Sequence, residues 1–365
     1  MGEIAADRIC LGAMTPLRFI PGILVLLCCV SSVPRLPAAP PPGRPELIRL
    51  PEGVLFGAYI DFGETEDHVT LEAIEDFEKL VGKPPAIIAS SSYWGEQSFP
   101  SRNLSLIARH GAIPMIYWSP WDRPYDEEKG PDRFSLREIL AGKWDAYIDG
   151  WADGAKAFGK PFFVSFCNEM NGSWFPWSGV YYGGENGGNE VFKQTWRYVV
   201  DRVRARGADN ILWVFHVNAF PAINDVWNVM ASYYPGSGYV DWLGLSVYGK
   251  QFRNEGSWAL FPDLIKWPYE EITALDPAKP VMLAEFGVGD FPKAGDKARW
   301  IGDALAMIPA HPRIKAAVYW HERWQNDDGT YSNLRINSSP AALEAFRAGV
   351  ARPEWVGSKA KPPIP

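Results

Sequence analysis

The most constraining feature of this sequence is a series of eight short apolar runs that alternate with amphipathic stretches. Each run is rich in Val, Ile or aromatic residues and carries almost no charge, which is typical of strands buried on both faces of a parallel sheet. The runs are Leu55–Ile60, Ala86–Tyr93, Ile113–Trp118, Pro161–Cys167, Ile211–Val217, Val240–Tyr248, Val281–Phe286 and Ile314–Trp320. The stretches between them, such as Leu136–Phe158 and Val191–Arg206, have the 3.6-residue period of helices.

Eight strands joined by helical crossovers predict a closed (β/α)8 barrel, an α/β fold of the TIM-barrel type. An open, doubly wound sheet is the alternative, but eight repeats and the lack of a Gly-rich dinucleotide loop count against it. We expect a single catalytic domain over residues 47–352, followed by a loose C-terminal tail over residues 353–365.

A leader and a proline-rich linker are predicted to precede the domain. The apolar run Phe19–Val30 follows Arg18 and is shorter than the roughly 20 residues that a membrane helix needs. We expect residues 1–32 to be a signal peptide or, alternatively, an N-terminal anchor, and residues 33–46 to be a linker. The protein is therefore expected to be exported: periplasmic, extracellular or surface-anchored. The domain retains only Cys167, so we expect no intrachain disulfide.

Polar and aromatic side chains stand at the ends of five consecutive predicted strands. From the fourth strand to the eighth these are Glu169, Asn218, Tyr248, Glu285 and Trp320. Because the carboxyl ends of barrel strands meet at one mouth, we expect these side chains to lie close together. Acids elsewhere, at positions 64–67, 126–128 and 270–271, fall in loops or helices and are expected to be solvated.

Two glutamates at one barrel mouth are suited to the cleavage of a glycosidic bond. In the retaining mechanism an acid protonates the leaving oxygen, and a carboxylate about 5–5.5 Å away attacks the sugar. We predict Glu169 as the acid/base, kept protonated by apolar neighbours and a second negative charge, and Glu285 as the nucleophile. The Tyr248 hydroxyl is predicted to orient Glu285. The alternative is that each glutamate pairs with an arginine and closes the end of the barrel.

Aromatic and amide side chains near these strand ends are candidate substrate contacts. Four tryptophans are predicted to contact sugar faces, with core packing as the alternative for each: Trp118, Trp174, Trp177 and Trp320. Asn168 and Asn171 require hydrogen-bond partners, which either a sugar hydroxyl or the local loop must supply. His216 and His321 lie near strand ends and are further candidates.

No metal, cofactor or nucleic acid is expected as a partner. The histidines lack metal-ligand spacing, and Asn326–Gly329 lacks the later glutamate of a calcium loop. The formal net charge of −7 disfavours nucleic acid and anionic membranes, since both attract basic surfaces. The expected partner is a β-linked polysaccharide or oligosaccharide, bound by a monomer.

The chain resembles glycoside hydrolase family 26, a retaining family of (β/α)8 barrels, over most of residues 55–346. The likeness is carried by these segments: Asn168–Trp177, Thr195–Arg197, Asn210–Trp213, Tyr239–Gly244, Lys279–Gly287 and Arg335–Pro340. It implies Glu169 as acid/base, Glu285 as nucleophile, Tyr248 as the partner of the nucleophile and Trp320 as a stacking platform.

Two departures from this family affect the expected substrate. The family's β-mannanases usually carry His immediately before the acid/base, where this chain has Asn168, and often a His at the end of strand three, where it reads Tyr117–Trp121. The resemblance implies an endo-β-glycanase acting nominally on β-1,4-mannan. Endo-β-1,3-1,4-glucanase and β-1,3-xylanase activities remain alternatives, and a non-catalytic carbohydrate-binding protein is an alternative of another class.

Overall fold

The computed structural model describes residues 47–63, 68–122 and 130–358. The predicted leader and linker, residues 1–46, lie outside this part of the chain. So do the acidic positions 64–67 and 126–128 and the end of the predicted tail, residues 359–365.

Eight parallel strands form a closed barrel, because each strand pairs with the next along the chain and the eighth pairs with the first. The strands are β1 (Val54–Ile60), β2 (Ile87–Tyr93), β3 (Ile113–Ser119), β4 (Phe162–Phe166), β5 (Ile211–Asn218), β6 (Trp242–Tyr248), β7 (Val281–Gly287) and β8 (Ile314–His321). Every strand overlaps its predicted run, and no end differs by more than two residues. The predicted (β/α)8 barrel is confirmed.

Helices surround the strands. They are α1 (Leu71–Val81), α2 (Ser101–His110), α3 (Leu136–Leu140), α4 (Asp145–Phe158), α5 (Gly188–Ala205), α6 (Met230–Tyr233), α7 (Phe261–Leu275), α8 (Lys297–Met307) and α9 (Pro340–Val350). The single helix predicted over Leu136–Phe158 is wrong, since the chain turns at Gly142, whose φ of 78° is left-handed. No helix among the described residues has the length and apolar character needed to cross a membrane.

The apolar side chains form two layers, one on each side of the barrel wall. Alternate strand residues point inward, and the inner cluster includes Tyr59, Tyr117, Phe163 and Trp242. The residues between them point outward and pack under the helices. This alternation, which follows from the two-residue period of a strand, decides which side chains can reach the barrel mouth.

The prediction of a loose C-terminal tail is wrong for the first residues of that segment. Residues Trp355–Val356 form a short strand, β11, which pairs in parallel with the start of β1 at Val54 and Leu55. Two further strands, β9 (Arg323–Gln325) and β10 (Tyr331–Asn333), form a hairpin after β8. The Trp355 side chain is buried, and its indole N–H donates to the Leu305 carbonyl over 3.0 Å. A bulky apolar side chain can order a terminal segment that otherwise has a loop-like composition.

Trp355→Ala is expected to lower the free energy of unfolding by about 3–5 kcal/mol, because it opens a large cavity and removes a hydrogen bond. Urea unfolding followed by circular dichroism measures the change. Arg352→Ala, an exposed neighbour, should stay within about 0.5 kcal/mol of the parent. Equal stability of the Trp355 variant and the parent would mean that the tail is loose, as the sequence suggested.

Candidate active site

A cleft of about 940 Å³ lies at the carboxyl ends of the strands. Seven of the predicted site residues line it: Asn168, Glu169, Trp174, Asn218, Tyr248, Glu285 and Trp320. Five of them, Glu169, Asn218, Tyr248, Glu285 and Trp320, follow from the rule that barrel strands converge at their carboxyl ends.

Glu169 stands on a turn with left-handed backbone conformation just after β4. Its φ is 54°, and that of Cys167 is 50°, a conformation that costs a non-glycine residue of order 1–3 kcal/mol. The turn is held by the Glu169 N–H, which donates to the His216 carbonyl over 2.8 Å, and by the Gly172 N–H, which donates to the Glu169 carbonyl over 2.8 Å. The chain thus fixes the position of this one side chain at the cost of local strain.

The Glu169 carboxyl is buried among neutral donors. The Trp174 indole N–H donates to Oε2 over 2.7 Å, and the Asn218 amide donates to Oε1 over 3.3 Å. Only 5% of the residue is exposed. Burial raises the pKa of Glu169 above its ordinary value, and hydrogen bonding to the carboxyl opposes that rise. These partners are neutral, so the alternative of an arginine pair does not hold for Glu169.

Glu285 lies on β7, and its position depends on an irregularity of the sheet. Opposite β6, Leu245 pairs with Leu283 and Ser246 pairs with Glu285, so Ala284 is an extra residue in the wall. Ala284 belongs to the inner cluster, yet Glu285 beside it lines the cleft. A one-residue bulge of this kind re-aims a side chain, and here it lets two consecutive residues face inward.

The Tyr248 hydroxyl lies close enough to both glutamates to be affected by their charges. It donates to Glu285 Oε2 over 2.7 Å. Burial raises the pKa of Tyr248 well above its ordinary value, and the negative charges of Glu285 and then Glu169 add to this rise. The phenol therefore stays protonated and remains a donor. Both carboxylates act on this one hydroxyl and both residues line the cleft, Glu169 from the β4 side of the barrel mouth and Glu285 from the β7 side.

Trp320 and Trp174 present ring surfaces to the cleft. Trp320 stacks on Tyr59 with ring centroids 3.9 Å apart and nearly parallel planes, and its indole N–H donates to Glu322 Oε2 over 2.7 Å. Trp174 is 38% exposed. Rigid, partly exposed rings that line a cleft are suited to stacking on the apolar faces of sugars.

Two of the predicted tryptophan contacts are wrong. Trp118 is fully buried, because Tyr117 points into the barrel and its neighbour must then point outward, where Trp118 stacks on Trp151 at 4.0 Å. Trp177 is 1% exposed, and its indole N–H donates to the Asn168 carbonyl over 2.6 Å. Trp177 therefore supports the Glu169 loop from behind and does not line the cleft.

The two asparagines have different roles. Asn171 closes the loop: its side chain accepts from the Asn218 N–H over 2.9 Å and donates to the Asn218 carbonyl over 2.8 Å. Asn168 lines the cleft, and its buried Oδ1 has no hydrogen-bond partner among residues 47–63, 68–122 and 130–358. A buried amide oxygen without a partner is suited to accept a hydrogen bond from a ligand hydroxyl.

The predicted histidine contacts are wrong. His216 is buried inside the barrel with both ring nitrogens bonded to serine hydroxyls, and His321 accepts from the Ile336 N–H over 3.1 Å. Neither lines the cleft. Burial lowers the pKa of each to about 3, so both rings are neutral. Strand alternation points His216 into the barrel and His321 outward, where its ring packs against Phe77 of α1.

Some cleft residues were missed from the sequence. Glu322 follows β8 directly, so the strand-end rule identifies it if it is applied one residue further along the chain. Phe252 follows β6, Trp324 lies in β9, and their rings contact each other with centroids 6.3 Å apart. Only the folded chain brings these two rings together. Among the described residues, no three His, Cys, Asp or Glu side chains are grouped as a metal site requires.

Comparison with known proteins identifies related chains. A model described as glycosyl hydrolase family 26 matches residues 139–294. Endoglucanase H of Acetivibrio thermocellus is 31% identical over 302 residues, covering 82% of this chain and 30% of that protein. A mannan endo-1,4-beta-mannosidase of Bacillus subtilis is 35% identical over 240 residues, covering 64% of this chain and 58% of that protein. The chain thus spans less than two thirds of either relative.

A solved structure shares the fold. The catalytic domain of a Bacillus sp. JAMB-750 endo-beta-1,4-mannanase superposes with a TM-score of 0.62 at 21% identity, over 84% of this chain and 87% of that one. At this identity the likeness concerns the barrel and not the chemistry.

Proposed function

The chain belongs to glycoside hydrolase family 26, and on that premise we propose that it is a retaining endo-β-glycanase that hydrolyses a β-linked polysaccharide. One observation carries the proposal: two buried glutamates lie at the ends of β4 and β7, next to the same Tyr248 hydroxyl. Both of their charges raise the pKa of Tyr248, and the hydroxyl donates a hydrogen bond to Glu285. The cleft around them is open and lined with aromatic rings, as binding of an extended sugar chain requires.

In the first half of the proposed reaction a covalent intermediate forms. Glu169, carrying its proton, donates it to the glycosidic oxygen as the bond from that oxygen to the anomeric carbon breaks. Glu285 attacks the anomeric carbon from the opposite face and forms a glycosyl ester. The shortened polysaccharide leaves as an alcohol.

In the second half water cleaves the ester. Glu169, now a carboxylate, removes a proton from water as the water oxygen attacks the anomeric carbon. The bond to Glu285 breaks and returns its carboxylate. The anomeric carbon keeps its original configuration because it undergoes two displacements, and the proton taken from water returns Glu169 to its acid form.

The environments of the two glutamates support this division of roles. Burial raises the pKa of Glu169, which favours the proton-bearing form that an acid needs near neutral pH. Glu285 receives a hydrogen bond from a phenol that stays protonated, and such a bond favours a carboxylate. Two carboxyl groups with environments that differ in this way supply one acid and one nucleophile.

The nominal substrate is β-1,4-mannan, on which the family's mannanases act. Endo-β-1,3-1,4-glucanase activity is the second candidate, and Asn168 favours it. This residue precedes Glu169 and lines the cleft, and its Oδ1 lacks a partner in the described chain. Mannose and glucose differ in the orientation of the 2-hydroxyl. An asparagine in place of histidine changes which hydrogen bonds the protein can form with that hydroxyl. The relative named endoglucanase supports a glucan as substrate.

A reducing-sugar screen of residues 47–365 on mannan, lichenan, curdlan, β-1,3-xylan and carboxymethylcellulose tests the proposal. We expect hydrolysis of mannan or lichenan, with a fall in viscosity that precedes most of the sugar release, because endo cleavage shortens chains from within. A folded protein that is inactive on all five polymers would contradict both candidate activities. Predominant release from β-1,3-xylan would replace them with the third.

Export and a monomeric state are also proposed. The apolar run behind Arg18 supports export, and mass spectrometry of the protein recovered from its native host tests it: a chain that begins near residue 33 and lies outside the cytoplasm is expected. An uncleaved cytoplasmic chain would refute export. Light scattering of the purified domain measures the oligomeric state.

A further inference from the structure

Two aromatic rings of the cleft, those of Phe252 and Trp324, take no part in the proposed reaction steps. Their centroids lie 6.3 Å apart, and the ring planes meet at 69°, so the edge of one ring meets the face of the other. Phe252 is 44% exposed and Trp324 is partly exposed, and both line the cleft. Exposed aromatic surface is unfavourable in water, so a ligand that covers these rings gains binding free energy.

Backbone hydrogen bonds place the segment that carries Phe252 beside the end of β7. The Gly249 N–H donates to the Gly287 carbonyl over 2.9 Å, and the Gly289 N–H donates to the Lys250 carbonyl over 2.8 Å. Gly287 is the last residue of β7. The chain that leaves β6 therefore runs alongside the chain that leaves β7, the strand of the proposed nucleophile.

The hairpin β9–β10, which carries Trp324, is attached to the same segment. Ser332 of β10 lies opposite Trp324, and its hydroxyl donates to the Gln251 carbonyl over 2.8 Å. The buried Lys297 donates from Nζ to the Asn333 carbonyl over 2.9 Å, which fixes the end of β10. The segments that carry the two rings thus meet beside the end of β7.

The surroundings of the two rings are suited to a sugar. Glu255 Oε2 accepts from the Phe252 N–H over 3.0 Å, so the backbone under this ring is held in place before any ligand binds. Gln325, Arg253 and Asn254 line the cleft next to the rings in sequence and carry hydrogen-bond donors. Flat apolar ring surface with a few polar groups around it is the composition that a pyranose, with its apolar faces and equatorial hydroxyls, requires.

The proposed reaction decides which part of the polysaccharide reaches these rings. The leaving portion takes its proton from Glu169 on the β4 side, whereas the retained portion is bonded to Glu285 on the β7 side. The two rings lie on the β7 side. Trp324 is four residues beyond Trp320, a distance of at most roughly 14 Å along the chain. The rings are therefore near the retained portion, beyond the sugar that Trp320 is placed to stack on.

We propose that Phe252 and Trp324 form a binding subsite for a pyranose ring of the retained portion, at least one sugar beyond the one that is bonded to Glu285. The direction of the sugar chain in this proposal rests on the proposed function. The subsite narrows the substrate class, because the domain then favours substrates with two or more linked sugars on this side over those with a single sugar.

Dinitrophenyl β-glycosides of one, two and three sugars, in the mannose and glucose series, isolate this part of the cleft, since all of their sugars belong to the retained portion. In the parent domain kcat/KM should rise with the number of sugars. In Phe252→Ala and in Trp324→Ala, kcat/KM on the longest glycoside should fall about five- to tenfold, the scale of losing one aromatic contact at a binding surface. On the one-sugar glycoside it should equal that of the parent. Trp324→Tyr, which keeps a ring, should retain most of the rise.

Phe220→Ala is the matched control. Phe220 is also an exposed phenylalanine of the cleft, but it follows β5, and its N–H donates to Oδ1 of Asn218, whose amide donates to Glu169. It therefore lies on the side of the leaving portion, and its removal should keep the parent's rise of kcat/KM with each added sugar. Equal loss of that rise in Phe220→Ala and Phe252→Ala would overturn the proposal. Thermal unfolding followed by circular dichroism checks that each variant is folded.

Oligosaccharide affinity measured by titration calorimetry separates this proposal from the proposed function. If the parent hydrolyses no glycoside but Trp324→Ala weakens oligosaccharide binding, the proposed function fails and the subsite stands. If the parent is active and both Phe252→Ala and Trp324→Ala keep the full rise of kcat/KM with chain length, the subsite fails and the proposed function stands. A folded parent that neither hydrolyses nor binds the oligosaccharides would refute both.

Discussion

Replacement of Glu285 by glutamine is expected to reduce kcat by at least about 10⁴-fold, because an amide cannot form the glycosyl ester and the reaction loses its nucleophile. Glutamine has nearly the same size and keeps an oxygen that accepts from Tyr248, so the cleft should retain its shape. Oligosaccharide affinity measured by titration calorimetry should therefore stay within a few-fold of that of the parent.

Glu270→Gln provides the matched control for this variant. Glu270 is an exposed residue of α7, and its replacement removes the same charge from the protein surface without reaching the cleft. Its kcat should equal that of the parent. More than about 1% residual activity in the Glu285 variant, after contamination is excluded by a second preparation, would remove Glu285 from the proposed role. A parent that binds oligosaccharides and never turns over would instead identify a carbohydrate-binding protein.

Glu169→Ala is expected to separate the two halves of the reaction. On polysaccharide, kcat/KM should fall by about 10²–10⁴-fold because the leaving oxygen receives no proton. A dinitrophenyl glycoside needs no such help, so its first half should remain fast. The second half should be slow without a base, and a burst of dinitrophenol should precede the steady state.

The covalent intermediate provides the decisive measurement for this variant. Mass spectrometry during the burst should find one glycosyl unit attached to the peptide that carries Glu285. Sodium azide should speed turnover, because the anion attacks the anomeric carbon without giving up a proton and releases the Glu285 carboxylate. The same substrate should give no burst with Glu285→Gln. A product of inverted configuration, or the absence of any labelled peptide, would refute the double displacement.

The fold was predictable from the sequence because the barrel strands are buried on both faces. Such strands appear as uncharged apolar runs, and all eight runs became strands of the wall. Because these strands are apolar on both faces, the sequence does not show which residues point into the barrel and which point outward. Trp118 and Tyr117 look equally suitable as sugar contacts, and only the register of β3 sends one outward and the other inward.

Site residues at strand ends were predictable from the sequence. Contacts between side chains of different strands were not. Glu169, Tyr248 and Glu285 were placed by counting strands. The hydrogen bonds of His216 to Ser165 and Ser246 were not, because a polar residue in an apolar run gives no sign of its partners. Trp355 shows the same limit at the other end of the domain, where one buried ring orders a segment of loop-like composition.

The extra residue in β7 has a consequence for how such a protein can diverge. Leu283 and Phe286 both face outward, so deletion of Ala284 would leave the glutamate as the one inward residue between them. The glutamate would then occupy the level of Ala284, one residue or roughly 3.3 Å deeper in the barrel and away from the Tyr248 hydroxyl. Loss of a single codon is thus expected to abolish the proposed hydrolysis with both glutamates still in the gene. The presence of both glutamates in a relative is therefore not sufficient evidence of activity. The number of residues between the positions of Leu283 and Phe286 must be compared as well.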